Sequence, residues 1–266
     1  MNNRVSITTE DRVATVTLDR PDKKNAVDSA MFDAIAEAAA AIESDKSIRA
    51  VVLTGEGSDF CAGIDITSFA GDGIAAGVGD KMAPRTPSGA NYFQQAATCW
   101  RELPVPVIAA LRGVVFGAGF QIAMGADIRF AAPDTRMSIM EIKWGIIPDM
   151  GITATLPGVI AQDRARELAY TGRVVAAEEA AAIGLVTGVI DDPLTAARMM
   201  AADIAGKSPD AIRAIKQLIN RTWQQDPAPS LRLEAELQMA VMSGGNQREA
   251  AAANIEKRPP AFRDPK

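Results

Sequence analysis

The run MEIKWGIIPDM, from Met140 to Met150, sets two carboxylates, Glu141 and Asp149, into a mostly apolar stretch whose only cation is Lys143. Burying an ionised carboxylate without a partner is expensive. An acid in such a setting is therefore either solvated or poised to exchange a proton near neutral pH. Taken alone, the stretch reads most simply as two acids on a solvated turn, with Glu141 paired to Lys143 or Arg136 and Asp149 a turn former after Pro148. The composition narrows the choice. The chain contains no histidine, which excludes Ser-His-Asp and Cys-His catalysis and every histidine-ligated metal site. Acid–base work then falls to carboxylates, lysine, tyrosine or cysteine. With only two tyrosines, Tyr92 and Tyr170, carboxylates are the natural candidates.

Two glycine turns could serve such an acid. In FCAGIDI (Phe60 to Ile66) a strand ends in small residues that leave backbone N–H groups unobstructed. In GVVFGAGFQIAMG (Gly113 to Gly125) a strand passes through Gly117-Ala118-Gly119 into a helix start, whose free N–H groups and dipole suit an anionic oxygen. A pair of such donors would stabilise a developing oxyanion, and loss of one donor typically costs on the order of 10²–10³ in rate. A dinucleotide fingerprint is the competing reading, but its third glycine would stand at 122, which is Ile122. The hydrolase elbow G-x-S-x-G is absent.

The elements that must position these residues follow from pattern. The 266 residues are 48% hydrophobic, enough for one well-buried domain. VSITTEDRVATVTLD reads as two strands around Glu10-Asp11, and Pro21 ends the pattern. NAVDSAMFDAIAEAAAAIESD reads as an amphipathic helix capped by Asp28 or Ser29. IRAVVLTGEG, VPVIAALRG and ADIRFAAPD read as buried strands between helical patterns, which argues an α/β fold. Residues 69–91 are rich in Gly and Pro, as a lid, a binding loop or a disordered segment would be. From Ala161 onward the pattern is helical, with Ser208 before Pro209 as a helix start. Cys61 and Cys99 have no C-x-x-C spacing, so neither a disulfide framework nor a zinc site is suggested, and both read as packing residues. A net charge of -5 without a cationic cluster argues against nucleic acid. No apolar run approaches the ~20 residues of a membrane span, and the N-terminus lacks a signal-peptide core, so a cytoplasmic protein is expected.

LDRPDKKNAVD, VVLTGEGSDFCAGIDI, the long run from Val105 to Gly151, ARELAYTGRVVAAEEAAAIGLVTGVI and the closing IEKRPPAFRDP occur here in a characteristic order and spacing. In this the sequence resembles the crotonase superfamily, the enoyl-CoA hydratase/isomerase proteins, from about Val5 to the C-terminus. The resemblance implies a ββα spiral core over residues 1–200 and a helical region over residues 201–266 that builds a homo-trimer or a dimer of trimers. It implies an acyl-CoA thioester as substrate, with no cofactor beyond the coenzyme A that the substrate carries and no metal. The N–H groups of Ile64 and Ala118 would hold the thioester oxygen; alanine at 118 keeps the donor while disfavouring left-handed backbone. Lys24, Asn25, Ala26, Ala62, Asp65 and Ile66 would bind CoA, together with Phe262 of a neighbouring subunit.

In family hydratases two glutamates activate water. This sequence matches the second at Glu141 and carries Gln121 where the first belongs. A carboxamide can position water but cannot exchange a proton in the needed range, and Gln121 reads equally as a packing residue on its helix. Asp149 matches the position of a second catalytic aspartate in dienoyl-CoA isomerase members. The first expectation is therefore a double-bond isomerase of Δ3,Δ2-enoyl or dienoyl type: Glu141 takes the proton, Asp149 returns it or orients the substrate, and the two amides hold the enolate. The alternative is a 2-enoyl-CoA hydratase with an altered active site. A non-catalytic binding or scaffold protein is the reading from a different class. The acyl pocket would be shaped by loop 69–91 and by residues such as Phe116 and Trp144.

Overall fold

The computed structural model describes residues 4–69 and 78–265. The chain opens with the antiparallel pair β1 (Val5–Glu10) and β2 (Val13–Leu18), then α1 (Ser29–Ser44) and β3 (Ala50–Gly55). Two short segments follow, a 3₁₀ turn at Ile66–Phe69 and α2 (Val78–Lys81), and then α3 (Tyr92–Glu102). Next come β4 (Val107–Leu111), β5 (Val114–Phe116), α4 (Ala118–Met124), β6 (Ile128–Ala131) and β7 (Arg136–Ser138). After a 3₁₀ turn at Glu141–Trp144 the chain runs through α5 (Ile152–Thr155), α6 (Gln162–Thr171), β8 (Val175–Ala176), α7 (Ala177–Ala182) and β9 (Gly188–Val189). It ends in α8 (Pro193–Ala205), α9 (Pro209–Thr222), α10 (Pro227–Met242) and α11 (Gly245–Glu256).

The strands form a six-stranded sheet in the order β1-β2-β3-β4-β6-β9, parallel from β2 onward, and a three-stranded sheet β5-β7-β8. The central strands are buried on both faces, which is why they read as unbroken apolar runs. On β3 and β4, Val51, Leu53, Val107, Ala109 and Leu111 join the main core beneath α1, α3 and α4. Ala50, Val52, Ile108 and Ala110 face the opposite way, into a second core. There α8 lies on the sheet through Ala197, Ala201 and Ala205, a stripe at i, i+4, i+8 whose small side chains let the helix approach closely.

The mixed α/β reading agrees with this architecture. The α1 cap is Asp28, whose carboxylate accepts from Met31 N–H at 2.8 Å. Ser208 stands before α9 as expected, but its hydroxyl makes no cap bond and finds no partner; Pro209 sets that helix start by its fixed φ alone. A boundary at residue 200 falls inside α8. Ala201 and Ala205, beyond it, belong to the same packed stripe as Ala197. α9 is pinned by Lys216, whose buried ammonium donates to Trp100 O and Val105 O at 2.9 Å each and pairs with Asp127 at 2.8 Å. α10 buries no residue and leaves Leu231, Met239 and Met242 exposed. Of residues 69–91, the stretch 70–77 lies outside the described residues. Among the described residues, no helix is long and apolar enough to cross a membrane.

Ala201 is fully buried between α8 and the sheet, so Ala201→Leu forces extra volume into a closed contact. It is expected to destabilise the protein by about 1–3 kcal/mol, read as a lower urea midpoint at unchanged slope.

Candidate active site

Two chain segments, brought together by backbone pairing, build the site. Beyond β3 the chain reaches Cys61, whose N–H donates to Val114 O while Phe116 N–H donates to Cys61 O, each at 3.0 Å. The next residues are stitched to the segment before α1: Ala62 N–H donates to Lys24 O at 2.9 Å, Val27 N–H to Gly63 O at 2.8 Å, and Asp65 N–H to Val27 O at 2.9 Å. These bonds bracket Ile64. Its own N–H finds no backbone acceptor among the described residues. Ala118 opens α4, where an N–H has no intrahelical acceptor, and it too is without a backbone partner.

Glycines permit the approach of the two segments. Gly117 caps α4 with φ at +51°, where glycine is favoured. Gly119 has ordinary helical backbone, but a Cβ there would lie 2.4 Å from Cys61 O and 2.9 Å from Cys61 Sγ. Cys61 itself is fully buried, and burial pushes its thiol up to about 12, which suits a packing residue and not a nucleophile.

Ile64 and Ala118 line a cavity of about 270 Å³ together with Ala26, Ala62, Asp65, Ile66, Trp144 and Glu141. A larger cavity of about 650 Å³ between α3 and α9 carries Arg101, Arg213 and Lys216. The ammonium of Lys216 is already taken up by two carbonyls and Asp127, and size alone does not outweigh the convergence of carboxylate and free amides in the smaller cavity.

Glu141 enters the cavity because β7 ends beside the glycine turn, with Gly117 N–H donating to Ser138 O at 3.0 Å, and the following 3₁₀ turn carries it inward. It is only 7% exposed. The surface pairing with Lys143 or Arg136 does not occur; the Lys143 ammonium lies over the Trp144 ring, 5.7 Å from its centre. The partner of Glu141 is Gln121, one turn into α4, which donates from Nε2 to Glu141 Oε1 at 2.6 Å. Gln121 Oε1 accepts from Met150 N–H at 2.8 Å. An amide oxygen must face a donor and an amide nitrogen an acceptor, so these two bonds fix the carboxamide in one orientation. Glu141 Oε2 is buried and has no partner among the described residues. Burial raises the Glu141 pKa above the usual carboxylate value, the Gln121 hydrogen bond partly offsets this, and the charge of Asp149 adds to the rise. Asp149 is half-buried, its own pKa also raised by burial, and it does not line the cavity of Glu141.

The expected CoA residues divide. Ala26, Ala62, Asp65 and Ile66 line the cavity. Lys24 is exposed, its ammonium 3.6 Å from Asp59. Asn25 uses its side chain inside the turn. It is wholly buried, accepts from Arg20 N–H at 2.8 Å, and donates to Glu56 O at 3.0 Å and Asp59 O at 2.8 Å. Its side chain locks the turn and offers nothing to a ligand. Phe262 lies at the opposite end of β3, where its carbonyl accepts from Arg49 at 3.0 Å, so the chain does not bring Phe262 to its own cavity. Phe116 is not a cavity residue, whereas Trp144 is, and Met140 and Ile146 join it unanticipated. Arg20 was also missed; a lone arginine before Pro21 carries no pattern that separates a buried hub from a surface charge.

The two sheets, and the cavity that Ile64 and Ala118 share with the buried Glu141 carboxylate, are those of a crotonase-type fold. Solved structures agree: an enoyl-CoA hydratase from Bacillus anthracis matches with a TM-score of 0.87 at 29% identity, covering 97% of this chain and 98% of that one. The sequence model described as "Enoyl-CoA hydratase/isomerase" matches residues 8–265, and the chain belongs to that family. It is an enzyme of the family, an isomerase or a hydratase. A probable enoyl-CoA hydratase, echA8, of Mycobacterium bovis is 34% identical over 258 residues, 95% of each chain. The 1,2-epoxyphenylacetyl-CoA isomerase of Escherichia coli is 34% identical over 257 residues, again 95% of each.

The electrostatics of Glu141 give a pair of opposed shifts. A general base must be ionised, so kcat/KM is expected to rise with pH through the Glu141 pKa and then level off. Asp149→Asn removes a repelling charge and moves that rise to lower pH. Gln121→Leu removes the hydrogen bond that favours the carboxylate and moves it to higher pH. The pH profiles of the two variants, measured against the parent, check both directions.

Proposed function

We propose that the protein is an acyl-CoA double-bond isomerase in which Glu141 is the proton carrier. The Ile64 and Ala118 amides receive the thioester oxygen as negative charge develops on it. Glu141 removes a proton from the carbon next to the unsaturation and delivers it two carbons along the resulting dienolate, which shifts the double bond into conjugation with the thioester. The observation that carries this reading is the fixed Gln121 carboxamide. It presents to Glu141 the single hydrogen bond that a protonated carboxylic acid would present, yet holds no proton to give. One titrating group suffices for a proton shift, whereas adding water needs two sites to give and take protons. The raised pKa of Glu141 suits a group that must accept a proton and then return it. Asp149, half-buried and outside the cavity lining, contributes here through its charge.

Hydration of a 2-enoyl-CoA is the second reading, supported by relatives such as the short-chain-enoyl-CoA hydratase of Clostridium acetobutylicum, 33% identical over 262 residues. It would use Glu141 on a water held by the remaining Gln121 N–H. The apolar side chains left exposed on α9 and α10, Ile215, Ile219, Leu231 and Met239 among them, support assembly into trimers or a dimer of trimers. Sedimentation equilibrium is expected to give three or six times the chain mass.

The deciding experiment supplies trans-3-hexenoyl-CoA, a 3,5-dienoyl-CoA and crotonyl-CoA to the purified enzyme. Isomerisation predicts turnover of the first two and little 3-hydroxybutyryl-CoA from the third; dominant hydration of crotonyl-CoA would overturn it. Glu141→Gln is expected to lower turnover by about 10²–10⁴ while the fold persists. Removing a buried carboxylate whose folded pKa exceeds its unfolded one relieves a destabilisation that grows as pH rises from the unfolded carboxylate range through the folded value. Its Tm at neutral pH should therefore equal or exceed that of the parent. Gln121→Glu restores the second acid and is expected to raise hydration of crotonyl-CoA relative to isomerisation.

A further inference from the structure

We propose that Arg20 is a positioning residue for the oxyanion amide of Ile64. The Arg20 side chain is 12% exposed, and its guanidinium reaches both walls of the cavity mouth. Nη1 donates to Ala26 O at 3.0 Å, and Nη2 pairs with Asp65 Oδ2 at 2.8 Å. Asp28, the cap of α1, lies 3.5 Å from Nη1 and pairs on its outer side with Arg4 at 2.8 Å. Ala26 and Asp65 both line the cavity, and they belong to the two segments that the Val27 hydrogen bonds join.

Ile64 lies between Gly63 and Asp65, so its N–H direction is set by the peptide planes on either side. The Val27 N–H bond to Gly63 O holds one plane, and the Asp65 N–H bond to Val27 O holds the other. Asp65 itself is held at both carboxylate oxygens: Oδ1 accepts from Thr67 N–H at 3.0 Å and from Thr67 Oγ1 at 2.6 Å, and Oδ2 takes Arg20. Without Arg20, a 6% exposed carboxylate keeps an oxygen with no donor. It then turns outward for water, carrying its backbone and the Ile64 amide with it. A planar guanidinium spans Ala26 O and Asp65 Oδ2 at once, whereas a lysine ammonium meets one of them.

The inference rests on the enolate reading above, and the assay is chosen to separate the two. Exchange of the C2 protons of butyryl-CoA into D₂O, followed by ¹H NMR, reports enolate formation alone: a C2 proton passes to Glu141, the electron pair moves to the thioester oxygen, and a deuteron returns to the same carbon. A misaimed donor raises the barrier to that step. Arg20→Met is expected to lower kcat for exchange by about 10- to 100-fold, with KM for butyryl-CoA within about threefold. Arg20→Lys should recover part of the loss. Arg4→Met, which removes the other partner of Asp28 without touching the cavity, should exchange at the parental rate. If Arg20→Met does not fold, Asp65→Asn carries the test with the same fall in kcat. Parental kcat in folded Arg20→Met, a loss confined to KM, or an equal loss in Arg4→Met overturns the proposal. Undiminished exchange in Glu141→Gln would instead overturn the enolate reading on which it stands.

Discussion

The approach of the Cys61 segment to the turn before α4 is the constraint on which the site depends. Two backbone hydrogen bonds join Cys61 to the β5 strand, and the absence of a Cβ at Gly119 lets the first turn of the helix settle against the Cys61 carbonyl and sulfur. With that contact made, Ile64 and Ala118, from segments more than fifty residues apart, line one cavity, and neither amide has a backbone partner among the described residues. A buried N–H left unpaired is rare because its desolvation is not recovered. In the proposed reaction the thioester oxygen supplies the acceptor that the Ile64 and Ala118 amides lack. The main-chain pairing thus sets the electrostatic character of the cavity before any side chain is considered.

The Gln121–Glu141 contact adds the acid–base element. A charge-assisted hydrogen bond stabilises an ionised carboxylate by roughly 1.5–3 kcal/mol, while an isolated buried charge is disfavoured by more. Desolvation accordingly dominates, and the pKa lies above its ordinary value. The carboxamide orients one oxygen of Glu141 and leaves the other, Oε2, buried without a partner among the described residues. A second glutamate at 121 would have faced Glu141 at hydrogen-bonding distance, where two carboxylates share one proton and titrate as a pair. The amide uncouples them. Glu141 keeps one proton equilibrium of its own, modulated by the Asp149 charge.

Much of this was legible in residue order. The parallel strands announced themselves as short apolar runs because both faces are covered, and the glycine turns because small residues in series before a helix suit few other purposes. The absence of histidine directed attention to Glu141. What sequence did not carry was the destination of side chains. Asn25 belonged by resemblance to CoA binding, yet its three hydrogen bonds are spent inside a turn, a role invisible without knowing that Arg20 N–H, Glu56 O and Asp59 O converge on it. Gln121 was open between packing and chemistry because both place it on the same helix face; its link to Met150 N–H crosses twenty-nine positions. Phe262 could be placed in a motif but not in space.

The rigid parts of the site are main chain, and the adjustable parts are charge. Amide positions are held by paired backbone and by glycines whose substitution would collide with carbonyls, so they tolerate little variation. The proton equilibrium of Glu141 rests on one hydrogen bond and one neighbouring carboxylate, each changed by a single substitution that leaves the backbone pairing untouched. A fold built this way can keep its cavity while residue 121 decides whether a second acid faces Glu141. In the proposed reaction none does, and a lone base that returns its proton to the same face of a planar dienolate needs no second group placed across the cavity.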